Sequence, residues 1–171
     1  AIHGGLLGGV LAGYIYTKVK KLNFFKMADC VVLGIPLAQA IGRWGNYLNK
    51  EAHGGPTNLP WGIMVDGVKV HPTFLYESLW CCALLIILFV YRKHKKYEGE
   101  LFLLYMFGYG LGRVWIEGLR TDQLILPVVG LPVSQLLAGV LVVVMGILIV
   151  YLRKHHSRYA MLGLKTEPVK E

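Results

Sequence analysis

Charge is scarce in this chain. Asp, Glu, Lys and Arg make up 16% of its 171 residues, where a soluble domain carries roughly a quarter. Cysteine is scarce too. Cys30, Cys81 and Cys82 all fall inside apolar runs, at spacings that match neither a disulfide framework nor a zinc site, so they read as small apolar filler. His53 and His71 stand without a neighbouring Cys or carboxylate pattern that would close a metal site. No metal or cofactor is therefore expected. There is no internal repeat, no low-complexity linker and no sign of a second domain. The opening Ala-Ile-His-Gly-Gly lacks both Met and the basic start, apolar run and cleavage site of a signal peptide. The expectation is that one or more helices precede it.

Apolar residues are abundant, at 55% with a mean hydropathy of +0.51, and they come in blocks. Five blocks approach the ~20 residues that cross a bilayer. They run from Ile2 to Thr17, Met27 to Leu48, Thr73 to Val90, Leu101 to Gly118 and Val133 to Leu152. The expected fold is an all-α polytopic membrane protein of about five transmembrane helices. Residues 1–156 would form one membrane-embedded catalytic domain, and 157–171 a polar cytoplasmic tail. Between the second and third blocks, Trp61 to His71 alternates around Asp66-Gly67, which predicts a small extracytoplasmic β-hairpin.

The net charge of +8 does not imply nucleic acid, because the basic residues flank apolar blocks. Lys18, Lys20, Lys21 and Lys26 follow the first block. Arg92, Lys93, Lys95 and Lys96 follow the third, and Arg153, Lys154, Arg158, Lys165 and Lys170 follow the fifth. Alternating spans place all of these on one side, which the positive-inside rule makes cytoplasmic. The segments 49–72 and 119–132 then face outward.

The polar residues inside the blocks are ordered. Arg43 and Arg113 each lie about five residues before the outer end of a span, ~7–8 Å below the boundary at 1.5 Å per residue. A charge at that depth costs a few kcal/mol unless it is paired or snorkels. Two arginines at one depth suggest a shared anion, and guanidinium matches phosphate oxygens in a bidentate fork. Simple pairing is the competing account, since Glu117 lies one turn after Arg113 on the same face. Asn46 and Tyr47 share the face of Arg43; Tyr109, Arg113 and Glu117 form a second stripe. Glu77, just inside the third block, needs a partner, and the arginines are candidates. Arg120 and Asp122 in the second outer turn offer a surface pair. His3 has the intrinsic pKa to accept a thiol proton, although a lone His is more often structural.

These strings resemble a known family. Gly42-Arg43-x-Gly45-Asn46-Tyr47-x-Asn49-x-Glu51-x-x-Gly54 is similar to the signature of bacterial phosphatidylglycerol–prolipoprotein diacylglyceryl transferases. His3-Gly4-Gly5, His71-Pro72-x-x-Leu75-Tyr76-Glu77, and Tyr109-Gly110-x-x-Arg113 followed by Glu117 and Arg120-x-Asp122 resemble its other elements, in the same order. Tyr47 stands where Phe is common, and Ala52-His53 replaces a bulkier pair. The resemblance implies a seven-span inner-membrane enzyme, of which this chain matches about the C-terminal three-fifths. It also implies an active site on the extracytoplasmic side.

The reaction so implied joins phosphatidylglycerol to the lipobox cysteine of a prolipoprotein, giving a thioether and glycerol phosphate. Arg43 and Arg113 are expected on the phosphate and His3 on the thiol proton, with Glu51 and His71 as other candidate bases. Tyr109, Glu51 and Asn46 are expected to orient the arginines or the headgroup, with Tyr109 and Glu51 counted as catalytic, and Asn46, Asn49, Gly54, His71, Glu77, Glu117 and Arg120 to bind substrate. The alternative is a transporter or channel for a lipid or small anion. It fits less well, because a transporter site usually lies near the midplane, where stretches such as Leu84 to Leu88 are featureless.

Overall fold

The computed structural model describes residues 2–120 and 132–159, with side chains from 7–120 and 132–155. It contains six α-helices: α1 (Ile2–Val19), α2 (Phe24–Val31), α3 (Ile35–Leu48), α4 (Thr73–Tyr91), α5 (Glu100–Glu117) and α6 (Val133–Tyr159). Two short strands, β1 (Ile63–Val65) and β2 (Val68–Val70), lie between α3 and α4.

The second apolar block is two helices, not one. Asn23 starts α2, its side-chain oxygen accepting from the N–H groups of Phe25 (2.9 Å) and Lys26 (3.4 Å). The helix stops at Val31, and α3 leaves at a bend of 42°. Pro36 explains the break. It has no N–H to give to residue 32, and its ring crowds that carbonyl. At the second position of α3 both penalties vanish.

α4 lies between α3 and α5; α5 also packs on α6 and reaches α2, which holds α1. The buried face of α4 recurs at helical spacing through Phe74, Glu77, Cys81, Leu84 and Leu88. Its opposite face leaves Leu79, Ile86 and Val90 exposed, as does α6 with Leu137, Val140 and Ile147. Val32, Leu84, Leu88, Leu101 and Tyr105 form the buried apolar cluster. Polar side chains also tie the helices. Ser78 Oγ donates to the Ala40 carbonyl (3.0 Å), Trp80 Nε1 to that of Gly108 (2.9 Å) and Gln135 Nε2 to that of Val114 (2.7 Å). Such bonds matter where lipid removes the hydrophobic drive between helices; each contributes roughly 0.6–2 kcal/mol.

Among the described residues, two helices are long and apolar enough to cross a membrane, Thr73–His94 and Val133–His155. The bent α2–α3 pair makes a third if it counts as one span. Five such helices were expected from the sequence. α5 carries three charges in its 18 residues, Glu100, Arg113 and Glu117, and α1 is diluted by five glycines, His3 and Lys18. The chain is thus a helical membrane protein, with two or three helices among the described residues that pass on length and composition alone.

The hairpin forms as the alternation predicts. Asp66 (φ 48°) and Gly67 (φ 82°) both sit at positive φ, as a type I′ turn requires. Ile63 pairs with Val70, Met64 with Lys69 and Val65 with Val68. The other edge of β2 is taken by the preceding loop, where Thr57 N–H donates to the Lys69 carbonyl (2.9 Å) and Pro56 bridges Val70.

Polar groups gather at the two ends of the bundle. At one end Lys95 meets Asp29 (3.2 Å) and Glu98 (2.8 Å), and Arg153 meets Glu100 (2.5 Å). Glu117, at the other end of α5, is seventeen residues and so ~25 Å from Glu100. That second end carries the hairpin.

Candidate active site

Glu77 stands between two arginines. It projects from α4, the middle helix, one turn inside its start. Its Oε2 lies 2.6 Å from Arg43 Nε on α3, and its Oε1 lies 3.4 Å from Arg113 NH1 on α5. Arg113 NH2 is 2.6 Å from Glu117 Oε2, one turn along the same helix. Ser134 Oγ, at the start of α6, donates to Glu117 Oε1 at 2.7 Å. Four helices thus meet in one polar cluster. The carboxylates are 8% and 6% exposed and the arginines 22% and 20%, so the buried acids anchor guanidiniums that still reach the surface.

This arrangement combines the two accounts that the sequence left open. The arginines are paired, and they also converge, because one carboxylate holds both. Arg43 engages Glu77 through Nε at 2.6 Å, and one carboxylate cannot occupy all five N–H donors of a guanidinium. A planar fork of this kind can receive a phosphate or carboxylate from outside.

The loop after α3 shapes the approach. Lys50 N–H donates to the Tyr47 carbonyl (3.2 Å) and Glu51 N–H to that of Asn46 (2.9 Å), a Schellman ending with Lys50 at φ 55°. Asn49 is the exposed cap residue before it. Ala52 is also left-handed, at φ 53°, and its carbonyl accepts from Thr73 Oγ1 at 2.6 Å. Asn46, Glu51 and His53 then border a cleft of about 250 Å³ with Phe74 and β1.

Gly54 is buried where a side chain has no room. A Cβ there would lie 2.6 Å from that of His71 and 2.9 Å from the Leu119 carbonyl oxygen. Its N–H donates to the His71 carbonyl (2.9 Å), and it bridges Arg120. His71 is held by its backbone in this ladder. Its ring Nδ1 sits 3.4 Å from Tyr76 Oη, which accepts from Trp61 Nε1 at 2.9 Å.

The residues singled out in the sequence therefore divide. Arg43, Glu77, Arg113 and Glu117 come together. Asn46 and Glu51 border the cleft beside them, while Gly54, His71 and Arg120 build the ladder below the hairpin. Tyr109 stacks on Tyr105, with ring centroids 5.8 Å apart. The His3 side chain and Asp122 lie outside the described residues. Ser134 escaped the sequence reading, although Ser134-Gln135 at the mouth of an apolar block was its signal. So did the Trp61–Tyr76 contact, which spacing alone does not reveal. Among the described residues, no three His, Cys, Asp or Glu side chains are grouped to hold a metal ion.

The model of one protein family, described as prolipoprotein diacylglyceryl transferase, matches residues 1–152. The chain belongs to that family. Members of the prolipoprotein diacylglyceryl transferase family named phosphatidylglycerol–prolipoprotein diacylglyceryl transferase are close in sequence. The protein from Clostridioides difficile is 70% identical over 126 residues, covering 74% of this chain and 51% of the relative. That from Finegoldia magna is 48% identical over 150 residues, 87% of this chain and 59% of the relative. A Bacillus cytotoxicus protein is 47% identical over 166 residues, 90% and 61% respectively. The chain thus spans between half and two thirds of the length of these relatives.

Proposed function

We propose that this chain carries the phosphate-binding part of an enzyme that transfers diacylglyceryl from phosphatidylglycerol to the cysteine thiol of a prolipoprotein. The observation behind this is the Arg43–Glu77–Arg113 bridge: two guanidiniums from different helices held at one point beside an open cleft. In the reaction the thiol proton passes to a base and the thiolate sulfur attacks the terminal glyceryl carbon of the diacylglyceryl unit. That carbon's bond to the phosphate oxygen breaks, and glycerol phosphate leaves. Charge builds on the departing phosphate, where Arg43 and Arg113 stabilise it. Removing one such donor costs ~10²–10³-fold in rate. Glu77 and Glu117 keep the guanidiniums aligned without covering every donor. Glu51, at the cleft, and His3 and His71 are the candidate bases.

The setting is the bacterial inner membrane, with the site facing outward. The basic clusters around Lys18–Lys26, Arg92–Lys96 and Arg153–Lys154 favour that orientation, and a precursor exported through the membrane presents its cysteine on the same side. α5 joins one crossing helix to the next and packs against both, which supports its crossing as well. With α1 it would restore five spans.

The test uses full-length protein in detergent with phosphatidylglycerol and a lipobox-cysteine peptide, read by mass spectrometry. The expected result is a diacylglyceryl mass gain on cysteine that Arg43→Ala and Arg113→Ala each slow by ~10²–10³-fold. A folded parent protein that yields no adduct removes the transferase reading.

A further inference from the structure

The hairpin has one open edge. Thr57 N–H donates to the Lys69 carbonyl, so the backbone of Lys69 points away from β1. Its partner Met64 is then the non-hydrogen-bonded member of the β1–β2 pair. The N–H and C=O of Met64 consequently point outward from β1, and among the described residues nothing pairs with them. The cleft lies along this edge, for it is bordered by all three residues of β1 and by none of β2.

Its opposite wall is the Asn46–His53 segment, held in place by the left-handed Lys50 and Ala52. Non-glycine residues in that region cost of order 1 kcal/mol or more each, and such strain clusters at ligand clamps. The floor is apolar. Phe74 stacks on Tyr47 at 4.8 Å, and Leu48 and Met64 remain exposed, at 77% and 66%.

Size and continuity narrow the occupant. A volume of about 250 Å³ lies below the range of ordinary small-ligand pockets, too small for a two-tailed lipid. A short extended peptide fits it, by adding a strand to the free edge. The walls also run on to the arginines. Asn46 is one turn beyond Arg43 on α3, and Phe74 is one turn before Glu77 on α4.

We propose that this cleft binds an extended segment of the acceptor polypeptide, paired as an added strand with the Met64 N–H and C=O, next to the Arg43–Glu77 pair. This rests on the transfer reading, which supplies a polypeptide acceptor. Pairing fixes the peptide's register, so alternate side chains face the Phe74 floor and the others face solvent. The reactive side chain is thereby carried one helical turn from the arginines.

The experiment is a backbone scan with full-length protein. Lipobox-cysteine peptides N-methylated at one successive position each are compared as acceptors, with phosphatidylglycerol held constant. Strand pairing predicts that the peptide KM rises about three- to tenfold at one position, the residue whose N–H meets the Met64 carbonyl, and little at its neighbours, with the lipid KM unchanged. Met64→Pro, which deletes the protein's own N–H, should raise peptide KM by a similar factor, and Met64→Ala by less. The N-methyl scan needs no variant, so a poorly folded Met64→Pro does not affect it. Transfer with a KM that is flat across the scan overturns strand docking and leaves the transfer reading intact. Absence of transfer to the unmodified peptide removes both.

Discussion

Asp29 on α2 caps α5, whose cap residue Gly99 lies seventy residues later. Its Oδ1 accepts from Phe102 N–H at 3.0 Å and its Oδ2 from Gly99 N–H at 2.9 Å. Free N–H groups at a helix start are usually met by a residue of the same helix. Here Gly99 stands in the cap position with no side chain to offer, at φ 89°, and a carboxylate from another helix replaces it. The contact joins α2 to α5 at the basic end of the bundle.

Asp29→Ala should therefore lower stability by about 1–2 kcal/mol through the lost cap, and further because Lys95 loses a partner. Asp29→Asn keeps an acceptor and should cost less. Thermal unfolding of the detergent-solubilised protein measures both; equal losses would show that the oxygen contacts are not what matters.

Lys95 makes this end pH-sensitive. Burial by itself lowers the affinity of its ammonium for the proton, but the hydrogen bond to Glu98 and the charge of Asp29 outweigh it and raise the pKa above 10.5. A pKa raised on folding stabilises fully below the unfolded value and is lost as pH climbs through the folded one. Unfolding midpoints should thus fall above about pH 10.5. Lys95→Met should remove that part of the slope.

Arg43→Ala and Arg113→Ala should each reduce kcat/KM by ~10²–10³-fold. The double variant should fall short of the product of the two, since the residues act through one carboxylate. Lysine at either position should restore little, having no planar fork. Transfer kinetics on the four proteins decide it, and strict multiplicativity would mean that the arginines work separately.

Gly54→Ala places a methyl 2.6 Å from the His71 Cβ. Overpacking of this kind costs ~1–3 kcal/mol, and here it strikes the ladder below the hairpin rather than the ion cluster. The loop should become more sensitive to protease, and the peptide KM should rise more than the lipid KM.

The hairpin was legible in the sequence because Asp66-Gly67 leaves few alternatives for a two-residue turn. The third and fifth apolar blocks appear as α4 and α6 for an equally local reason. The α2–α3 break was legible as well, in Pro36, but an apolar average over Met27 to Leu48 conceals it. The sequence offered the arginines as partners for Glu77, and they are its partners, but that both share the one carboxylate was not readable. Arg43 and Arg113 lie 34 and 36 residues from it, and no spacing rule states which face of α4 meets which helix. His71 has a second role that its side chain does not announce. Its backbone joins the ladder below the hairpin through Gly54 and Gly55, which no side-chain pattern reveals.

Along the chain the cluster alternates in sign: Arg43, Glu77, Arg113, Glu117. Neighbours in that order are also neighbours in space, for each forms an ion pair with the next. Synthesis therefore delivers each arginine only one hydrophobic helix away from a counter-ion. Arg43 waits for α4, and Arg113 arrives to find Glu77 already made, with Glu117 four residues behind. Neither cation of the cluster therefore lies far along the chain from an acid that can pair with it.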